Sequence, residues 1–366
     1  MVRFVLALAV VVLTANFCSG SSLPFNDPLH EQQWYLRAMR FDAAWAALEA
    51  RDVARKPVVV AVVDSGFDLD HPDLAENMLP GFNIVDGSDV VDALTSHGTG
   101  TAGPIGAISN NALGISQAAW TAQVMPIRVT NREDGRARTA DINAAIRHAA
   151  DAGAQVINVS YGGVQLDSVN AAARYAQERG AVVIMPAGNE GRYQGDWKRQ
   201  PSVLAVGAIG RNGQRASFSN HGSFVDFVAP GQGVTSLYPN QGYARWNGTS
   251  FASPLVASAA ALVVAANPEL TPMQVAEVLR QAVVVDGDQM EADMLPGVID
   301  AARAVELAVA IAEGVMDAPA VAMADATASA GGVDEARWQT HAAAREAELL
   351  QSPQGYVTHI YSTRAQ

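Results

Sequence analysis

Cysteine is almost missing from this chain. Cys18 is the only one in 366 residues, so no intrachain disulfide can form, and stability must come from an apolar core, hydrogen bonds or bound metal. Positive charge is scarce as well. Lys and Arg number 24 against 37 Asp and Glu, a formal charge of −13. That argues against nucleic acid as a partner, because phosphate binding needs a basic surface. No internal repeat is visible. Beyond the first twenty residues no segment reads as long and apolar enough to cross a membrane.

The exception opens the chain. "MVRFVLALAVVVLTANFCSGSS" has a basic Arg3, an apolar stretch from Phe4 to Phe17, and small residues at Ser19 and Gly20. This is the three-part shape of a secretory signal, with cleavage expected after Gly20. The apolar stretch falls short of the ~20 residues that span a bilayer, so a cleaved signal is favoured over an anchor. Phe17 is a poor neighbour for a lipid-bearing cysteine at Cys18. The expected location is outside the cytoplasm, extracellular or periplasmic, with no membrane insertion after cleavage.

From Pro57 onward, short β-branched runs alternate with alanine-rich stretches. "PVVVAVVD" (57–64), "QVMPIRV" (123–129), "QVINVS" (155–160), "AVVIMPA" (181–187) and "VLAVGAI" (203–209) read as buried strands. Helices are expected at 140–152, 167–179, 250–266 and 272–282. Continuous apolar strands separated by helices imply a mostly parallel sheet covered on both faces, a three-layer α/β/α fold with its ligand site at the carboxyl ends of the strands. The expected division is a signal at 1–20, one domain over 21–312, and a linker with a low-complexity or helical tail over 313–366. The tail begins "EGVMDAPAVAMADATASAGGVD", small and Gly/Ala-rich. Residues 334–350 read as a frayed tail or a lone helix.

Four short stretches carry chemistry. In "NGTSFASPLVA" (247–257) Ser250 stands at the mouth of an apolar helix, with Pro254 expected in its first turn. A serine there caps the helix or, if a base and oxyanion donors are near, acts as a nucleophile aimed by the unpaired first amides. In "SHGTGTAGPIGA" (96–107) His97 is followed by small residues that permit close approach. It reads as a candidate base or as an ordinary capping histidine. "VVVAVVDSGFDLDHPDL" (58–74) ends a buried strand in Asp64, and a carboxylate there is costly unless paired. An imidazole N–H is a natural partner. In "MPAGNEG" (185–191) Asn189 reads as a turn residue or as an amide donor to an oxyanion.

Together "DSGFDLDHPDL", "HGTGTAG", "AGNEG" and "GTSFASPLVA" resemble, in order, the four signature motifs of the subtilisin-like serine proteases. The resemblance runs from about Asn26 to about Val305, and "NDPLHEQQWYLRAMRFDAAW" is similar to the start of the thermitase-like branch. It implies Asp64, His97 and Ser250 as a catalytic triad and Asn189 as oxyanion donor. It further implies a secreted endopeptidase acting on proteins or peptides as a monomer, with no cofactor required for the chemistry. "SYGG" (Ser160, Tyr161, Gly162, Gly163) resembles the segment that pairs with the substrate backbone and lines the specificity pocket, and the second cleft wall is expected from Gly135 to Ala137.

A structural calcium site is also implied, with Asp27, Asp73 and Asn111 and the carbonyls of Leu113 and Ile115 as ligands. Hard oxygen donors of this kind suit Ca²⁺. Gly162 and Gly163 leave the pocket wall open to large apolar side chains, while Glu190 at the rim would favour a basic one. Departures are Gly100, where many relatives carry a second histidine, "QAAW" (117–120), and the start of the resemblance almost directly after the expected signal, which leaves no evident propeptide. Two other readings use the same residues: a narrow processing protease or peptide ligase with an identical triad, and a silent binding module that keeps the cleft.

Overall fold

The computed structural model describes residues 25–51, 57–284, 297–320 and 356–357. The expected signal (1–20) and the lone helix considered at 334–350 lie outside them. In chain order the elements are α1 (Trp34–Ala38), α2 (Phe41–Glu49), β1 (Val58–Asp64), β2 (Phe82–Asn83), α3 (His97–Gly106), β3 (Ala122–Arg128), β4 (Ala137–Arg138), α4 (Thr139–Asp151), β5 (Val156–Val159) and α5 (Asp167–Glu178). Then follow β6 (Val182–Pro186), β7 (Val203–Ile209), β8 (Phe227–Pro230), β9 (Gln232–Tyr238), β10 (Gly242–Asn247), α6 (Thr249–Ala266), α7 (Pro272–Gln281), β11 (Val283–Val284), β12 (Val298–Ile299), α8 (Ala301–Ala312) and β13 (Tyr356–Val357).

Nine of these strands form one sheet in the order β11-β12-β8-β7-β6-β5-β1-β3-β2. All its pairings are parallel except β11 with β12. The two faces explain the unbroken apolar runs. Along β1, Val58, Val60 and Val62 enter one core cluster while Ala61 and Val63 enter the other. The strand has no polar face because both sides are covered. On one side lie α4 and α5, presenting Ile142, Ile146, Ala149, Val169, Ala172 and Ala176. On the other lie α2, α3, α6, α7 and α8.

The chain leaves β1 toward β3 on one side and returns to β5 on the other, so β1 sits where the winding direction reverses. Clefts in open α/β sheets form at such points, beyond the carboxyl ends of the strands, and Asp64 is the last residue of β1.

Two expectations need correction. The helix α6, with a mean hydropathy of 1.7, is long and apolar enough by composition to cross a membrane, contrary to the reading that no segment past the leader qualifies; it is the buried central helix, with 94% of its residues inside the protein. Pro254 is the sixth residue of α6, not part of its first turn. Lacking an N–H, it cannot donate back to the Ser250 carbonyl four residues earlier.

Candidate active site

Four elements converge on one point. Asp64 closes β1, His97 opens α3, Asn189 follows β6, and Ser250 is the second residue of α6. Asp64, His97 and Ser250 are each fully buried.

The glycines of "HGTGTAG" decide how closely α3 approaches. A Cβ on Gly98 would lie 2.2 Å from the Gly66 carbonyl and 3.1 Å from the Asp64 Cβ. Gly66 itself turns the chain away from β1 at a φ of 122°, a conformation open to glycine. Small residues therefore let the first turn of α3 rest on the end of β1. That carries the imidazole onto the carboxylate.

His97 Nδ1 lies 3.0 Å from each oxygen of Asp64, and its Nε2 lies 3.0 Å from Ser250 Oγ. The Asp64 carboxylate also accepts from the Ser65 backbone N–H at 2.7 Å and from Thr101 Oγ1 at 3.0 Å. These partners repay the desolvation of a buried charge and fix the carboxylate plane. With Nδ1–H directed at Asp64, Nε2 is the lone-pair end facing the serine hydroxyl.

Asn189 points its oxygen at Thr249, accepting from the backbone N–H at 2.9 Å and from Oγ1 at 2.8 Å. That turns the NH₂ end the opposite way as a donor. Ser250, as the second residue of α6, contributes a backbone N–H with no intrahelical partner. The arrangement thus offers a base, an oriented hydroxyl and two N–H donors.

Thr101 and Thr249 were missed by sequence reasoning. Thr101 stands four residues after His97, on the same face of a helix, a usable signal had the stretch been read as a helix; its glycine content hid that. Nothing in the sequence marked Thr249 as the holder of Asn189.

The remaining candidates fall into two groups. Ser160 and Tyr161 are fully buried. The Tyr161 hydroxyl donates to the Gly135 carbonyl at 2.9 Å, so its ring is a strut joining the two expected cleft walls, not a pocket surface. Gly162 and Gly163 remain partly exposed. Glu190 is exposed and accepts from the Asn220 side-chain amide. In "QAAW", Gln117 donates to the carbonyls of Ile105 and Ala122 at 2.7 and 2.8 Å, and Trp120 stacks on Trp45.

At the second group, Asp27 and Asp73 converge on one loop. Asp27 accepts from the backbone N–H groups of Asn110 and Asn111 at 3.0 and 3.2 Å. Asp73 accepts from the Asn111 side chain and the Ile115 backbone, both at 2.9 Å. Burial pushes the Asp73 carboxyl up to about 6. Among the described residues no Lys or Arg is paired with either carboxylate. Leu113 stands exposed on the same loop.

Residues 55–304 match the Peptidase_S8 model, the subtilase family. The chain is 41% identical over 207 residues to a thermophilic serine proteinase of Bacillus sp. (strain AK1), a match covering 56% of this chain and 51% of that protein's length. It is 34% identical over 241 residues to thermitase of Thermoactinomyces vulgaris, covering 65% and 84%. Among solved structures, a protease from Pseudoalteromonas arctica PAMC 21717 superposes with a TM-score of 0.67 at 29% identity, covering 78% of this chain and 99% of that one.

Proposed function

This chain belongs to the subtilase family, and from that membership we propose that it is a secreted serine endopeptidase acting through Asp64, His97 and Ser250. The observation that carries the reading is the single imidazole within 3.0 Å of both the buried carboxylate and the serine hydroxyl. A cap or a core histidine has no need of both contacts.

In this mechanism Ser250 Oγ attacks the scissile carbonyl while His97 Nε2 takes its proton. Asp64 holds the tautomer and stabilises the imidazolium that forms. Asn189 and the Ser250 N–H receive the developing oxyanion. His97 then protonates the leaving amine, and the acyl-enzyme is resolved by water activated at the same nitrogen. The substrate backbone pairs with Gly135–Ala137 on one side and Ser160–Gly163 on the other, with Tyr161 bracing the gap. The peptidase domain spans 21–312, with the signal before it and a tail after it.

Calcium has no part in these steps. Two buried carboxylates meeting at one loop, with no Lys or Arg paired to either among the described residues, suit a hard divalent ion. Asp27, Asp73, Asn111 and the carbonyls of Leu113 and Ile115 would hold it, and it would tie the N-terminal segment to the body of the domain.

Covalent labelling with a serine-directed fluorophosphonate tests the proposal. Wild type should label stoichiometrically and Ser250→Ala not at all. A folded wild type that resists the reagent would overturn the reading in favour of a silent cleft.

A further inference from the structure

Behind the imidazole lies a run of flat rings that the mechanism above leaves unused. Phe251, the residue after the nucleophile, sets its ring against His97 with centroids 5.3 Å apart and planes at 69°. Phe251 is stacked in turn on Trp246 at 4.8 Å and 19°. Trp246 rests on the exposed Tyr238 at 5.9 Å and 26°, and its indole N–H donates to the Leu237 carbonyl at 3.2 Å.

Gly100 is what admits the indole. It lies in the middle of α3, where glycine is a poor helix former and where its backbone needs no left-handed conformation. Its use there is room. A Cβ at this position would fall 2.9 Å from two indole carbons of Trp246 and 3.2 Å from the Phe251 ring. The Gly100 carbonyl also accepts from Ser236 Oγ at 2.6 Å. The turn of α3 that follows His97 is therefore fastened to the β9–β10 hairpin, and that hairpin leads directly into Ser250.

Hydrogen bonds at Nδ1 and Nε2 hold the two polar edges of the imidazole, and the Phe251 ring adds a contact that bears on its plane. A phenyl ring stacked against an immobilised indole cannot itself flip aside. We infer that Trp246, seated in the space that Gly100 leaves, is a positioning residue: it holds Phe251 against His97 and keeps Nε2 in line with its proton partner in both halves of the reaction. The inference rests on the serine-peptidase reading above. It is distinct from a role as a wall for the departing part of the substrate, because that part is gone when water attacks the acyl-enzyme.

Deacylation separates the two. Wild type, Trp246→Ala, Trp246→Phe, Gly100→Ala and the Gly100→Ala/Trp246→Ala double variant are compared on p-nitrophenyl esters of one acyl group. The burst is resolved from the steady phase, and rates are counted per fluorophosphonate-titrated site so that misfolded protein drops out. Trp246→Ala should slow deacylation by about tenfold, the scale of a small misplacement of a catalytic group, and Trp246→Phe should recover most of that loss. Gly100→Ala should slow it similarly when the indole is present. In the double variant it should add much less, since the two closest contacts are gone and only the 3.2 Å approach to Phe251 remains. Deacylation at the wild-type rate in Trp246→Ala, or penalties that multiply fully in the double variant, would overturn the inference while leaving the peptidase reading intact. A wild type with no burst and no labelling would remove both.

Discussion

At Asn189 the amide oxygen is held by Thr249. In the proposed mechanism its nitrogen then meets the oxyanion without reorganising during reaction. Asn189→Ala should lower kcat by about 10²–10³-fold with KM little changed, the usual cost of removing one oxyanion-hole donor. A large rise in KM with kcat intact would assign the side chain to substrate binding instead. Thr101 works at the same scale through Asp64, whose second oxygen it occupies at 3.0 Å. Asp64, His97, Asn189 and Ser250 stood out in the sequence through four short motifs in the order that the resemblance requires, since each alone also reads as a cap, turn or buried residue. Thr101 and Thr249 did not, since a hydroxyl that holds another side chain has no local pattern of its own.

At the scale of elements, the strands and long helices were legible because burial writes itself into composition. The runs at 203–209 and 182–186 are apolar at every position and are buried at every position. The helix α3 was not legible. Its ten residues, "HGTGTAGPIG", include four glycines and a proline, a poor helix by propensity that packing against β1, β9 and α6 overrides. The α4 helix offers a pH test. His148 near its end stacks on Phe82 at 4.0 Å and 14°, and burial holds its pKa below the ordinary imidazole value, with Asp151 opposing. The unfolded chain then takes up a proton more readily than the folded one. Stability present above about pH 6.5 is lost as pH falls below that and through the lower folded value. The Tm of wild type should therefore drop more than that of His148→Gln between about pH 7.5 and 5. Parallel melting curves over that interval would contradict the assignment.

For the whole molecule, the question is what holds the N-terminal segment to the sheet without a disulfide. Part of the answer is apolar: Phe25 packs on Trp45, and Trp45 on Trp120. Another part is polar: Gln33, Tyr35 and Trp45 donate to the carbonyls of Ser116, Thr235 and Ala118, and one loop gathers Asp27 and Asp73. If calcium binds there, chelator should lower Tm by several degrees, since a ligand at a hundred times its Kd stabilises by about 2.7 kcal/mol. Asp73→Asn should melt at one temperature with or without the ion. A wild-type melt indifferent to chelator would remove calcium and leave the apolar contacts and hydrogen bonds to fasten the segment.

The sequence by itself determined the covered parallel sheet, the order in which carboxylate, imidazole and hydroxyl occur, and the glycines that let backbones touch. These depend on local composition and on chemistry that only certain side chains possess. Tertiary structure alone decided the rest. It set how the imidazole is braced, with Phe251 and Trp246 filling the room above Gly100, and turned Tyr161 into a strut. It also buried α6 as a core helix despite a composition fit for a bilayer. These outcomes depend on which surfaces meet across stretches of chain, 26 positions for Tyr161 with Gly135 and 153 for His97 with Ser250, and such a meeting leaves no trace in the residues on either side.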